Sequence, residues 1–263
     1  MLILFLMLIS LLYRTMAMQF VLLRHGRSSW NKLNKFTGWH DVPLCDIGIK
    51  EAKQAGQRII QEGITVSSVY TSLLIRAIET TNIVCNEINF EHSRISYEWR
   101  LNERHYGALQ GLNKSETATK YGEKQVKIWR RSYDIPPPRI DKNDDRHPKN
   151  NKKFSNINNS LPNGESLKNV IERLDPFWKK YFSNIIKSNK NHLIVAHSNS
   201  LRAIIKILDN LSSEEIVSIN IPTGVPLVYE FDVNNLIISK QYLIDEDLLF
   251  EKQKMIENQG KAN

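Results

Sequence analysis

Cysteine is scarce in this chain, and its scarcity excludes a good deal. The 263 residues contain two, Cys45 and Cys85. They form no C-x-x-C pair and no metal-spaced cluster, so neither a disulfide framework nor a cysteine-held metal fits. Two isolated thiols suit a reducing compartment, and a cytoplasmic location is expected. Cys45 precedes an expected helix start, but a free cysteine is more often a small space-filling residue. Long apolar runs are missing as well. The longest, Met1 to Tyr13, falls short of the roughly 20 residues that a membrane span needs. It has no basic flank, and Arg14-Thr15-Met16-Ala17 is a poor signal-cleavage site. Residues 1–17 are therefore read as an apolar leader outside the fold, and no membrane partner is expected. Acidic residues are outnumbered, 28 against 36 Lys and Arg, for a net charge of +8. That balance suits an anionic partner, either nucleic acid or a small phosphorylated acid, and net charge alone does not choose between them.

What is present is ordinary globular composition, with a 41% hydrophobic and 24% charged content. Phe20 to Leu23 is an unbroken apolar run and predicts a short strand buried on both faces. It stops at Arg24-His25-Gly26, which puts a cation and an imidazole at the strand's carboxyl end, where open α/β sheets bind ligands. Val66 to Thr71, Leu193 to Ala196, Pro226 to Phe231 and Leu236 to Leu243 read as further strands, the last two as a hairpin.

Asp46 is a candidate N-cap of a helix to Glu62, with Ala52, Ala55, Ile59 and Ile60 as its buried stripe and Gly63 closing it. Helices are also expected over Leu73 to Ile88, Lys114 to Tyr121, Glu123 to Arg131, Glu165 to Lys187 and Leu201 to Leu208. Pro176 should kink the helix from Glu165 to Lys187, and Ser212 to Glu215 is a capping-box pattern. The spacing places Arg76 in the first turn of its helix, whose N-terminus itself attracts anions. Leu101 to Gly111 reads as a polar surface loop. Lys142 to Asn159, rich in Asn, Lys, Asp and Ser, reads as a mobile surface insertion. The alternation of strand and helix predicts an α/β, three-layer sandwich with a mostly parallel sheet and an antiparallel edge, in a single domain over 18–263.

The run Leu23-Arg24-His25-Gly26-Arg27-Ser28-Ser29-Trp30-Asn31 is followed by Phe36-Thr37-Gly38-Trp39. Together they resemble the signature of the histidine phosphatase superfamily and, within it, the 2,3-bisphosphoglycerate-dependent phosphoglycerate mutases. The likeness continues through Tyr70-Thr71-Ser72 with Arg76-Ala77, Leu101 to Gly107, Trp129-Arg130-Arg131, Ala196 to Ser200 and Ile221 to Pro226, and covers nearly everything from Gln19 onward. It implies a mutase that interconverts 3-phosphoglycerate and 2-phosphoglycerate through a phosphohistidine, primed by 2,3-bisphosphoglycerate. The alternative is a phosphatase of the same superfamily. It also implies a homodimer.

The chemistry agrees with that implication. A substrate with phosphate and carboxylate groups needs several fixed cations, and guanidinium suits phosphate through its fork. Arg24, Arg76, Lys114, Arg130 and Arg131 are the candidates. Neutral imidazole is a capable nucleophile toward phosphorus, and His25 is the choice for the residue that becomes phosphorylated. The resemblance implies that His197 stabilises the transferring group and that Glu103 gives and takes the substrate proton. It also implies substrate contacts from Gly26, Arg27, Ser28, Ser29, Trp30, Asn31, Thr37, Gly38, Arg104, His105, Tyr106, Ser198 and Asn199. Two positions depart from the family pattern. Arg27 stands where relatives often carry Glu or Gln, and Ser198 where a glycine is common, which would strain the backbone if φ were positive. No metal is expected. Nucleic acid is not expected either, because the cations fall at strand ends rather than along one helix face. The segment from Glu251 to Asn263 resembles the family's tail and is placed to close over the entrance.

Overall fold

The computed structural model describes residues 18–157, 161–188 and 190–262, the side chains at 183 and 185–187 aside. The leader, residues 158 and 159 of the expected insertion, the side chain of Ile185 in the helix expected over Glu165 to Lys187, and the final Asn263 thus lie outside what is described.

Six strands form one sheet: β1 (Met18–Arg24), β2 (Ser68–Thr71), β3 (Ile95–Tyr97), β4 (His192–Ala196), β5 (Pro226–Phe231) and β6 (Ile237–Tyr242), in the order β3-β2-β4-β1-β5-β6. β3, β2, β4 and β1 run parallel, while β5 is antiparallel to both β1 and β6. The mostly parallel sheet with an antiparallel edge is therefore the one expected, with β3 as an addition. The unbroken apolar run in β1 has the cause proposed for it. Phe20 and Leu22 point to one face and Val21 and Leu23 to the other, all at most 1% exposed. Burial of each such side chain contributes about 1.5–3 kcal/mol.

Helices cover both faces. α1 (Ser29–Lys32), α2 (Asp46–Gln61) and α3 (Ile75–Glu87) follow β1 and β2. α4 (Lys114–Tyr121), α5 (Glu123–Arg131), α6 (Leu167–Ser188), α7 (Ser198–Leu208), α8 (Glu215–Ser218) and α9 (Glu246–Asn258) complete the chain. Ala55 and Ile59 of α2 and Val84 of α3 pack with Val21, Leu23, Leu193 and Val195. Leu167, Val170 and Leu174 of α6 and Leu201 and Ile204 of α7 pack with Phe20, Leu22 and Ile194 on the opposite face. α4 and α5 enclose a smaller core of Phe36, Leu109, Ala118 and Val126.

Several expectations are corrected. Cys45, with extended backbone, is the N-cap of α2, and Asp46 is its first residue. Ile60 is 51% exposed, because α2 packs on one side only and Ala52, Ala55 and Ile59 fill that stripe. α3 starts two residues later than its pattern suggests. Its Ile75 N–H is capped by Asp41 Oδ1 (2.6 Å), a side chain from a distant loop. Leu101 to Gly111 is not a surface loop: Leu101, Asn102, Arg104 and His105 are fully buried, and partners elsewhere in the chain take the backbone carbonyl of Asn102 and the backbone N–H and carbonyl of His105. Among the described residues of the Lys142–Asn159 segment, Phe154 is buried against Trp39 with ring centroids 4.8 Å apart, and Ile157 packs on the same cluster. The Ser212–Glu215 capping bonds form reciprocally, 2.7 and 3.1 Å, although α8 begins only at Glu215. α6 runs through Pro176 as one helix.

Candidate active site

The site is built where β1 and β4 end side by side. Arg24 pairs with Ala196 across the strands, and the His25 N–H donates to the Ala196 carbonyl at 3.0 Å. The next residue on each strand is a histidine, so the two imidazoles meet with centroids 4.9 Å apart. Gly26 then lets α2 cross at closest approach. A Cβ there would stand 2.2 Å from the Gly48 carbonyl oxygen, so no larger residue fits.

His25 is 2% exposed. Its Nδ1 lies 2.7 Å from the Gly26 carbonyl oxygen, which can only accept, so Nδ1 carries the proton and Nε2 keeps its lone pair. Arg76 Nε donates to that Nε2 at 3.3 Å. Burial first, then the neighbouring Arg76 and Arg24 charges, hold the His25 pKa well below the usual imidazole value. The ring is neutral and nucleophilic. His197 is fully buried and depressed in the same way, by burial, Arg76 and His25, and its Nε2 is 2.7 Å from Ser72 Oγ.

Basic side chains crowd the cavity around this pair. Arg24, Lys35, Arg76, Lys114, Arg130, Arg131 and Arg202 line it, against the single carboxylate of Glu103. Burial, with smaller mutual repulsion, pushes Arg130 down to about 10 and Arg202 down to about 9, and Lys114 well below the ordinary lysine value. A cavity that charges itself this way is complementary to a dense anion.

Glu103 is 7% exposed. One oxygen, Oε1, accepts from Arg104 N (2.8 Å), Asn199 N and Asn199 Nδ2 (both 3.0 Å). Among the described residues Oε2 has no protein donor, which leaves it available to a substrate hydroxyl. Arg202 Nη1 donates to Asn199 Oδ1 at 3.0 Å and so fixes the amide with its NH₂ toward Glu103. The C-terminal segment closes the cavity. Ile256 and Gln259 line it, Lys114 Nζ donates to Gln259 Oε1 at 3.0 Å, and Ala262 N donates to Glu123 Oε1 at 2.8 Å.

Most of the residues expected from sequence are brought together: Arg24, His25, Asn31, Thr37, Gly38, Arg76, Glu103, Tyr106, Lys114, Arg130, Arg131, Ser198 and Asn199 line the cavity, with His197 against His25. Others are not. Ser28 caps α1 with a reciprocal bond to Asn31, and Ser29 opens that helix. Trp30 stacks on His40 at 4.2 Å. Arg27 lines a neighbouring cavity with Lys32, Glu51 and Lys252. Arg104 is buried beneath Tyr106, its Nη2 on the Arg130 carbonyl at 2.7 Å. His105 accepts from Gly107 N through Nδ1, and burial pushes it down to about 3. Ser198 opens α7 without a positive φ, so the serine there costs no strain. Arg202 and Lys35 were missed, while Phe36, Ser72 and Ile256 lie within stretches already singled out but were given no role. Arg202 had a signal of its own, lying three residues beyond Asn199 on the same helix face.

Among the described residues no group of three His, Cys, Asp or Glu is arranged to hold a metal ion, and no helix is long and apolar enough to cross a membrane.

A 2,3-bisphosphoglycerate-dependent phosphoglycerate mutase of Treponema denticola is 52% identical over 245 residues, 93% of this chain and 99% of that protein. The fold is shared with solved structures. A mycobacterial glucosyl-3-phosphoglycerate phosphatase has a TM-score of 0.62 at 18% identity, covering 81% of this chain and 92% of that one. The α-ribazole phosphatase of Shigella flexneri has a TM-score of 0.59 at 18% identity, covering 82% and 91%. The histidine phosphatase superfamily (branch 1) sequence profile matches residues 20–240, from the third residue of β1 into β6, and this chain belongs to that superfamily.

Proposed function

We propose that the protein is an isomerase, a phosphoglycerate mutase that interconverts 3-phosphoglycerate and 2-phosphoglycerate and is primed by 2,3-bisphosphoglycerate, acting in glycolysis and gluconeogenesis. One observation carries the reading. A neutral imidazole has its Nε2 lone pair held open by the Nδ1 bond to Gly26, inside a ring of cations with a single carboxylate. The 52% identical relative supports the choice of mutase over phosphatase.

His25 Nε2 attacks the phosphorus of the bound bisphosphate and forms an N–P bond as the P–O bond breaks. The departing oxygen takes a proton from Glu103 Oε2. In the return step the free hydroxyl of a bound monophosphoglycerate gives its proton to Glu103 as it attacks the phosphohistidine, and the N–P bond breaks. The bisphosphate so formed turns over in the site and passes its other phosphoryl group to His25. General acid–base help of this kind is worth about 10²–10⁴-fold. Arg24, Arg76 and His197 face the group in flight, and the entering phosphate charge counters the burial and the neighbouring cations that keep His197 neutral. Lys114, Arg130, Arg131 and Asn199 take the carboxylate and the remaining phosphate. The primer suits this site because seven cations need an anion of high charge. The reading includes a homodimer in the cytoplasm, with neither nucleic acid nor membrane as partner.

An enolase-coupled assay with and without 2,3-bisphosphoglycerate tests it. Turnover that rises on adding the primer is expected. Absence of mutase turnover with the primer present would refute the isomerase assignment.

A further inference from the structure

We infer that Arg173, held by Glu165, is a positioning residue for the acid–base carboxylate of Glu103. The inference rests on the role proposed for Glu103 above. Arg173 lies on α6, outside the cavity lining, and forms a buried ion pair with Glu165, Nε to Oε1 2.7 Å and Nη2 to Oε2 3.2 Å. Its remaining donors are spent on one strand of backbone. Nη1 donates to the Arg100 carbonyl at 2.6 Å, and Nη2 reaches the carbonyls of Asn102 (3.2 Å) and Glu103 (3.3 Å).

The Glu103 carbonyl is gripped twice, since Trp39 Nε1 also donates to it at 2.6 Å. Trp39 belongs to the loop that carries Thr37 and Gly38, and the guanidinium lies over its ring at 5.6 Å. Glu165 secures the far side, its Oε2 accepting the His105 N–H at 2.8 Å while its own N–H donates to the His105 carbonyl. The segment has little regular structure of its own, two short 3₁₀ turns at Trp99–Leu101 and Gly107–Leu109. Without this clamp the backbone under Glu103 has few other anchors on that side. Asn199 fixes one carboxylate oxygen, and Arg173 fixes the main chain from which the side chain reaches. Misplacement by about 1 Å can cost about 10²-fold in rate.

The test is a double-mutant cycle on mutase turnover with the full chain. Arg173→Lys keeps the charge beside Glu165 but lacks a fork that spans three carbonyls. It should lower kcat by roughly 10- to 100-fold with KM changed less than about threefold. Placed on Glu103→Gln, the same substitution should lower kcat by less than about threefold, because groups that act as a unit are non-additive. Its drop in melting temperature should be the same on both backgrounds. Glu165→Gln serves as a second variant, keeping shape, and should reproduce the kcat loss and the non-additivity. Full additivity with Glu103→Gln, or undiminished kcat in the folded Arg173→Lys and Glu165→Gln proteins, would overturn the inference while leaving the Glu103 assignment intact. Full turnover in Glu103→Gln alone would overturn both.

Discussion

Arg76 Nε stands 3.3 Å from His25 Nε2, so the atom that must attack phosphorus is already engaged by a guanidinium. The contact keeps the lone pair aimed into the cavity and disfavours its protonation. An incoming phosphate oxygen can take over the Arg76 donor as Nε2 turns to bond phosphorus. His25→Ala removes the acceptor for the phosphoryl group altogether. Incubation with labelled 2,3-bisphosphoglycerate should then give no acid-labile phosphoprotein, where the unaltered chain gives close to one label per site. Persistent label in the variant would put the nucleophile elsewhere.

The proposed mechanism draws its positive charge from side chains. Activity should therefore survive dialysis against EDTA. Vanadate, which takes up the five-coordinate geometry of a transferring phosphoryl group, should bind between His25 and His197 and inhibit competitively. Inactivation by chelator with recovery on adding Mn²⁺ would contradict both the residue roles and the absence of a metal from the mechanism.

The legible parts of the molecule are those decided by local pattern. β1 and β4 announce themselves as unbroken apolar runs that end in histidine, and their pairing puts His25 beside His197. α4 and α5 have the bounds expected because their punctuation is local: Asn113 caps Ser115 and Glu116, and Gly122 takes φ +85 between the helices. The illegible parts depend on distant partners. Asp41 caps α3 across 34 residues. The polar segment from Asn102 to His105 is buried because Glu165, Arg173 and Trp39 satisfy it, and none of these is near in sequence. Arg202 stands outside every motif and acts through Asn199, and Ser72, although inside the Tyr70-Thr71-Ser72 run, meets His197 only through the tertiary fold.

Acid should unfold the protein through its buried histidines. Burial pushes His105 down to about 3 and His192 down to about 4. Both are lowered relative to the unfolded chain, near 6.5, so the unfolded state binds more protons between those limits. Their contribution is intact above pH 6.5 and is lost as pH falls below it, by about 2 kcal/mol each at pH 5. Denaturant unfolding at pH 7.5 and pH 5 should register this fall. His192→Gln should show a fall smaller by about 2 kcal/mol, and an undiminished one would show that His192 is not titrating.

Mutase and phosphatase share the phospho-His25 step, so what separates them is how well the site keeps water away while the glycerate turns over. On the reading proposed here the C-terminal segment does this. Gln259 forms part of the cavity wall and takes the Lys114 ammonium at 3.0 Å, Arg130 Nη2 reaches the Ile256 carbonyl at 3.4 Å, and Ala262 is tied to Glu123. These ties are few and half-exposed, so the segment can release to admit substrate. They run to Lys114 and Arg130, the same cations proposed to hold the substrate's outer anionic groups, so closure over a bound glycerate completes their coordination. Deleting Gln259 to Asn263 removes the seal but leaves His25, Arg76 and Glu103 untouched. Phosphorylation of His25 should persist, mutase turnover should fall at least about 10-fold, and hydrolysis of 2,3-bisphosphoglycerate should rise relative to it. Side-by-side rates on the intact and shortened chains measure the partition. An unchanged ratio would show that water is excluded by the arginine-lined walls alone, and hydrolysis outrunning turnover in the intact chain would make the protein a phosphatase.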